Sequence, residues 1–129
     1  LLQAGKSGKK QALVSASERP IVDVFFSRLI NHFQMAIAAG DVEKTKPDPL
    51  PYLNAAERLS LKIEECLIIE DSLVGVTSGL DSGALVLALH QHQEISDHPN
   101  LIVRESLAGI TVEELEREHL LWSSVNVGR

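Results

Sequence analysis

The stretch Cys66-Leu67-Ile68-Ile69-Glu70-Asp71-Ser72 (CLIIEDS) decides the fold. A short, continuous apolar run that stops at polar residues reads as a strand buried on both faces, as in a parallel sheet. Here the strand is expected over Cys66 to Ile69 and ends abruptly in two carboxylates. Ser72 stands where a helix N-cap belongs, and a glycine-containing helix then runs to about Ser82. Ala84 to Leu89 (ALVLAL) is the next apolar run. Strand, helix and strand in this order require parallel pairing and a right-handed crossover.

The same alternation extends in both directions. Upstream, Gln11 to Ser15 (QALVS) is a short strand after a turn rich in Gly and Lys. Ser17 caps a helix with Pro20 in its first turn and Val22, Phe25, Phe26, Leu29 and Ile30 on one face. Met35 to Ala39 is a second strand, Gly40 to Asp48 a polar loop, and Pro49 or Pro51 opens a helix with Leu53, Ala56 and Leu59 on its apolar face. Downstream, Gln91 to Asn100 is a polar loop and Leu101 to Val103 a short fifth strand. Thr111-Val112-Glu113-Glu114 has the form of a capping box and starts a last helix to about Trp122. The pattern predicts an α/β fold: a three-layer, doubly wound parallel sheet of Rossmann-like type, one domain over residues 1–122 with a frayed tail at 123–129.

Composition narrows the function classes. The chain has 129 residues, 44% of them hydrophobic and 23% charged, which suits one domain with a true core rather than a disordered segment. Its net charge of −6, with no basic cluster beyond Lys9-Lys10, argues against nucleic acid as a partner. No apolar run reaches the roughly 18 residues of a membrane span, and Leu1 to Lys10 lacks the apolar centre of a signal peptide. The lone Cys66 fits a reducing, cytoplasmic setting, and we expect no membrane partner. The chain starts with Leu rather than Met, which reads as a piece of something longer.

In an open parallel sheet, ligands bind at the carboxyl ends of the strands. Ser15, Ala16 and Ser17 follow the first strand, Lys46-Pro47-Asp48-Pro49 follows the second, and Glu70-Asp71-Ser72 follows the third. A hydroxyl, an ammonium and a carboxylate pair are thus expected on one edge. Adjacent carboxylates suit Mg²⁺, which takes one or two of them together with water and phosphate oxygens. Lys46 and Ser15 can hold the remaining phosphate oxygens by charge and by a hydrogen bond. Together they describe half of a phosphoryl-transfer site. Taken singly, each has a plainer explanation: a strand-end turn residue, a loop Lys-Pro, and acids that complement a helix dipole. Other features read as structural. His90 and His92 lack a third ligand, Cys66 fills core, Trp122 packs against the sheet or a partner, and Glu113 to Glu118 forms a solvated helix face.

These residues resemble the haloacid dehalogenase-like hydrolases, in particular the branch of β-phosphoglucomutases and sugar-phosphate phosphatases. Ala12 to Ser17 (ALVSAS) resembles the motif whose hydroxyl binds the transferring phosphoryl group, with Ser15 in that position. Lys46-Pro47-Asp48-Pro49 resembles the lysine motif, and Ile69-Glu70-Asp71-Ser72 with Gly75 the acidic motif that holds Mg²⁺. Ser82-Gly83-Ala84 matches the turn that follows, so the resemblance runs from about Leu1 to Leu89. It implies catalytic roles for Lys46 and Ser15, phosphate binding by Ser15, Ala16, Ser17, Arg19 and Lys46, and metal binding by Glu70 and Asp71. The implied substrate is a small phosphorylated metabolite.

The departures are as informative. The family's nucleophile is the first Asp of an Asp-x-Asp motif on a central first strand, and no two Asp residues here stand two positions apart. The helical cap is missing too, and Leu50 stands where the family has an acid. The resemblance therefore implies an incomplete sheet, open between Gln11–Ser15 and Cys66–Ile69, and a need for an N-terminal segment that carries the strand and the cap. The chain alone is expected to be inactive, with Asp41 and Asp48 as weak substitutes for the nucleophile. A receiver-like regulatory domain is the alternative. It places its acids early and its Lys-Pro late, the reverse of the order here.

Overall fold

The short apolar runs become strands in the computed structural model, which describes residues 10–15, 19–20, 23, 33–89 and 96–126. β1 (Ala12–Val14) and β2 (Met35–Ile37) pair in parallel, with Ala12 opposite Met35 and Val14 opposite Ile37. β3 (Leu67–Glu70), β4 (Leu85–Leu89) and β5 (Leu101–Arg104) form a second parallel sheet with β4 in the middle. Glu70 lies opposite Ala88, and Leu89 opposite Arg104. Three helices are described along their whole length: α1 (Leu50–Arg58), α2 (Leu73–Ser82) and α3 (Val112–Asn126).

Side chains of successive strand residues point to opposite faces, and the core divides accordingly. Ile68, Ala84, Val86 and Ala88 face Tyr52 of α1 and Val76 of α2 in one buried cluster. On the other face, Leu67, Leu87 and Ile102 meet Ile110 and Leu115 around a hollow of about 30 Å³. The three-stranded sheet therefore sits between α1 and α2 on one side and α3 on the other, the three layers expected. Gly79 sets the closeness of the first contact. A Cβ there would stand 2.8 Å from Val86 Cγ2 and 3.3 Å from Ile68 Cγ2, so only a glycine lets α2 approach the sheet this closely.

Several details differ from the sequence reading: β2 stops at Ile37, with Ala39–Asp41 already in a 3-10 turn, and β3 runs on to Glu70. Cys66 precedes the strand instead of opening it, because its N–H donates to Ile63 O at 3.1 Å and closes the turn Ile63–Glu65. The inner face of α1 is Pro51, Tyr52, Ala55 and Ala56, whereas Leu53 is 38% exposed. The last helix continues past Trp122 to Asn126, so the expected tail is helical in its first half. There Ser124 Oγ and Asn126 Nδ2 donate to the carbonyls of Leu121 and Trp122, at 2.8 and 2.9 Å. At Thr111 one half of the expected capping box is seen, with Glu114 N–H donating to Thr111 Oγ1 at 3.1 Å. Arg19, Pro20 and Asp23 are helical. The rest of that expected helix, together with His90 and His92, lies outside the described residues.

Among the described residues, β1 pairs with β2 and β3 with β4, and no ladder joins β1 to β3. The interruption falls between the two strands where the sequence implied an opening. No described helix is long and apolar enough to cross a membrane.

Candidate active site

Between the two sheets lies a cleft of about 590 Å³. Val14 and Ser15 form one wall, and Ile69, Glu70, Asp71, Ser72, Val74 and Leu89 the other, with Lys46 reaching between them. These are the carboxyl ends of β1, β3 and β4, where side chains leave the sheet and neighbouring backbone groups become available to a ligand.

Loop anchoring explains how Lys46 arrives there. Asp48 Oδ1 accepts from Leu50 N–H at 2.8 Å and so starts α1. Ser78 Oγ donates to Asp48 O at 2.6 Å and ties the same loop to α2. The Lys46 ammonium then donates to Val14 O at 3.1 Å and to Glu70 Oε1. Both charged side chains are nearly buried, Lys46 at 10% and Glu70 at 8% exposure. Removing one partner of such a pair leaves an uncompensated charge and typically costs about 3 to 5 kcal/mol.

The sequence reading passed over a third member of this cluster. Tyr52 OH donates to the same Glu70 Oε1, and the Lys46 ammonium lies 5.1 Å from the centre of the tyrosine ring. Burial pushes the Tyr52 phenol well above its ordinary range, and the charges of Glu70 and Asp71 add to the effect. The available signal was a tyrosine in the first turn of an otherwise apolar inner face, since a buried phenol requires a partner.

Ser72 caps α2 as expected, accepting from Gly75 N–H at 3.1 Å. Gly75 also makes room for the acid: a Cβ at this position would run into the Glu70 carboxyl group. Asp71 is exposed at the cleft. Two adjacent carboxylates, one seated beside a glycine and one open to solvent, form a donor set of hard oxygens that fits Mg²⁺. Among the described residues no cluster of three or more acids, histidines or cysteines forms, so further ligands would be water, phosphate or another segment.

Ser15, Lys46, Glu70 and Asp71 are thus brought together. Ala16 and Ser17 lie outside the described residues. Arg19 is not part of the cleft lining. Its guanidinium donates to Asp41, to Asp23 at 3.2 Å and to Ala36 O at 3.2 Å, so it is committed to the β2 side. The hydrogen bond to Asp23 raises its pKa first, with Asp41 adding to the rise. Asp41 in turn accepts from Ala38 N–H at 2.9 Å, the main reason its carboxyl is held below the usual range, and Arg19 reinforces this. Neither Asp41 nor Asp48 lines the cleft, and both are engaged in holding their own loop. Cys66 is half-buried and donates to Lys62 O at 3.4 Å, and burial raises its thiol pKa, with Glu65 and Glu64 adding to it. Trp122 is buried, and its indole donates to Asn100 Oδ1 at 3.0 Å.

Comparison with known proteins agrees with this arrangement. A haloacid dehalogenase-like hydrolase domain-containing protein of Arabidopsis thaliana is 30% identical over 121 residues, covering 88% of this chain and 38% of that protein. Hexitol phosphatase A of Escherichia coli is 37% identical over 83 residues, covering 61% of this chain and 37% of the enzyme. The crystal structure of β-phosphoglucomutase from Clostridium difficile superposes with a TM-score of 0.80 at 19% identity, covering 95% of this chain and 54% of that one. The chain thus spans well under half the length of these two curated relatives. Residues 1–89 match the family model for the haloacid dehalogenase-like hydrolases, and with the parallel sheets and the cleft at their carboxyl ends this chain belongs to that family.

Proposed function

We propose that this chain supplies the phosphate- and cation-binding part of a Mg²⁺-dependent phosphatase or phosphomutase that acts on small phosphorylated metabolites such as sugar phosphates. One observation carries the reading: Ser15, Lys46, Glu70 and Asp71 border a single cleft at the strand ends. Lys46 would neutralise the phosphoryl oxygens and Ser15 would donate a hydrogen bond to one of them. Arg19, placed on the β2 side, is not assigned to phosphate here. Glu70 and Asp71 would hold Mg²⁺, which when bound offsets phosphate charge.

Glu70 and Asp71, the acids of the cleft lining, are assigned to the cation, so the nucleophile is assigned to an Asp on an N-terminal segment outside this chain. That segment would enter between β1 and β3 and bring the cap that selects the substrate. The Asp would take the phosphoryl group as an aspartyl-phosphate, and water or a sugar hydroxyl would then accept it. The lone Cys66 fits a cytoplasmic setting.

Phosphate release from small phosphate esters tests this reading. The chain alone should release none, and the protein that includes the N-terminal segment should do so only with Mg²⁺ present. Lys46→Ala and Asp71→Ala should each lower that rate by about 10²- to 10³-fold. Activity that survives both substitutions would remove the site assignment.

A further inference from the structure

Three elements close on the Glu70 carboxylate. Lys46 from the loop and Tyr52 from α1 both donate to its Oε1, and Gly75 of α2 leaves open the space its carboxyl group fills. Glu70 itself ends β3, so its backbone is fixed by the pairing with Ala88. With the backbone held, the direction of the carboxylate depends on these side-chain partners. Lys46 sits on a long, flexible stem, and the bond to it alone would let the acid follow the ammonium. A phenol on a packed ring is different: Tyr52 is buried in the core with Ile68, Val76 and Val86, and its hydroxyl has little freedom. Tyr52 does not line the cleft, so it acts on the site through Glu70.

We propose that Tyr52 is a positioning residue that locks the Glu70 carboxylate in the orientation from which it receives a divalent cation. This rests on the reading of Glu70 and Asp71 as cation ligands. Partners that orient a metal-binding carboxylate are worth about 10- to 100-fold in metal affinity, and Tyr52 supplies one such bond.

Two measurements on the full chain test it. Tyr52 is the single tyrosine, so tyrosine labelled with ¹³C at Cζ gives one resonance from the folded protein. That resonance should stand apart from its position in the urea-unfolded chain and should move in Glu70→Gln. A wild-type resonance at the unfolded position, with the rest of the spectrum folded, overturns the proposal. In the second measurement, Mg²⁺ is titrated against the amide resonances of Asp71 and Ser72. Tyr52→Phe keeps the packed ring and removes the hydroxyl, and it should raise the Mg²⁺ dissociation constant about tenfold. An unchanged constant overturns the positioning role and leaves the cation reading standing. If the wild-type chain shows no Mg²⁺ response at any concentration, the cation reading fails, and the proposal falls with it.

Discussion

The two sheets are built to different standards. In β4, four successive residues from Leu85 to Ala88 are buried, because the strand has a hydrogen-bonded neighbour on each side and helices over both faces. In β1, all three residues are only partly buried, and among the described residues the strand pairs with β2 alone. The same kind of apolar run therefore gives a closed core in one half and an open wall in the other. The neighbours a strand finds, and not its own hydrophobicity, decide how much of it leaves water. β3 is intermediate: Ile68 is buried under α2, whereas Ile69, on the opposite face, is 42% exposed at the cleft.

The largest expected effect comes from removing packing in the closed half. Leu87 is almost fully buried, so Leu87→Ala should lower stability by about 2 to 5 kcal/mol in urea unfolding. Leu13 is only partly buried and packs on the small side chains of Ala36 and Ala38, and Leu13→Ala should cost clearly less. Equal costs would erase the distinction between the halves.

Next in size is Gly75→Ala, which places a methyl group against the Glu70 carboxyl at the boundary of the halves. Such overpacking typically costs about 1 to 3 kcal/mol. The Lys46 and Tyr52 contacts should be disturbed with it, visible as a shift of the tyrosine signal. A variant as stable as the wild type, with that signal unchanged, would show that the carboxylate has another place to go.

The smallest effect belongs to the open half. Asp41 titrates below its ordinary value of 3.8 because the folded chain favours the carboxylate. Its stabilisation is therefore present above about pH 4 and is lost as the pH falls through the lower, folded value. Asp41→Asn should flatten this acid limb of the unfolding midpoint, by no more than about 1 kcal/mol, because the pair with Arg19 is partly exposed. An acid limb of the same steepness in the variant would mean that Asp41 is not its source.

The elements that can be read from the sequence are those in which one local signal suffices. The apolar runs at Leu67 to Ile69 and Leu85 to Leu89, the Ser72 cap and the acids at the end of β3 all announce themselves locally. Lys46 could be placed at the same edge by its position after β2. The inner face of α1 could not, because its phase is set by a distant group: Tyr52 turns inward to reach Glu70, and Leu53 is carried outward. Arg19 failed for a related reason, since carboxylates 4 and 22 residues along the chain compete for its guanidinium. The residues from Ser123 to Asn126 read as a tail because they lack apolar spacing, yet the helix continues through them, with Ser124 and Asn126 side chains donating back to carbonyls one turn earlier.

Lys46 carries one last consequence, which is a matter of donor arithmetic. An ammonium has three N–H groups, and two of them point to Val14 O and Glu70 Oε1, one on each side of the opening. While both are kept, at most one remains for an incoming oxygen. A ligand that wants more from this side chain must detach it from one wall, so capture of an anion and cohesion of the two sheets draw on the same small stock of protons.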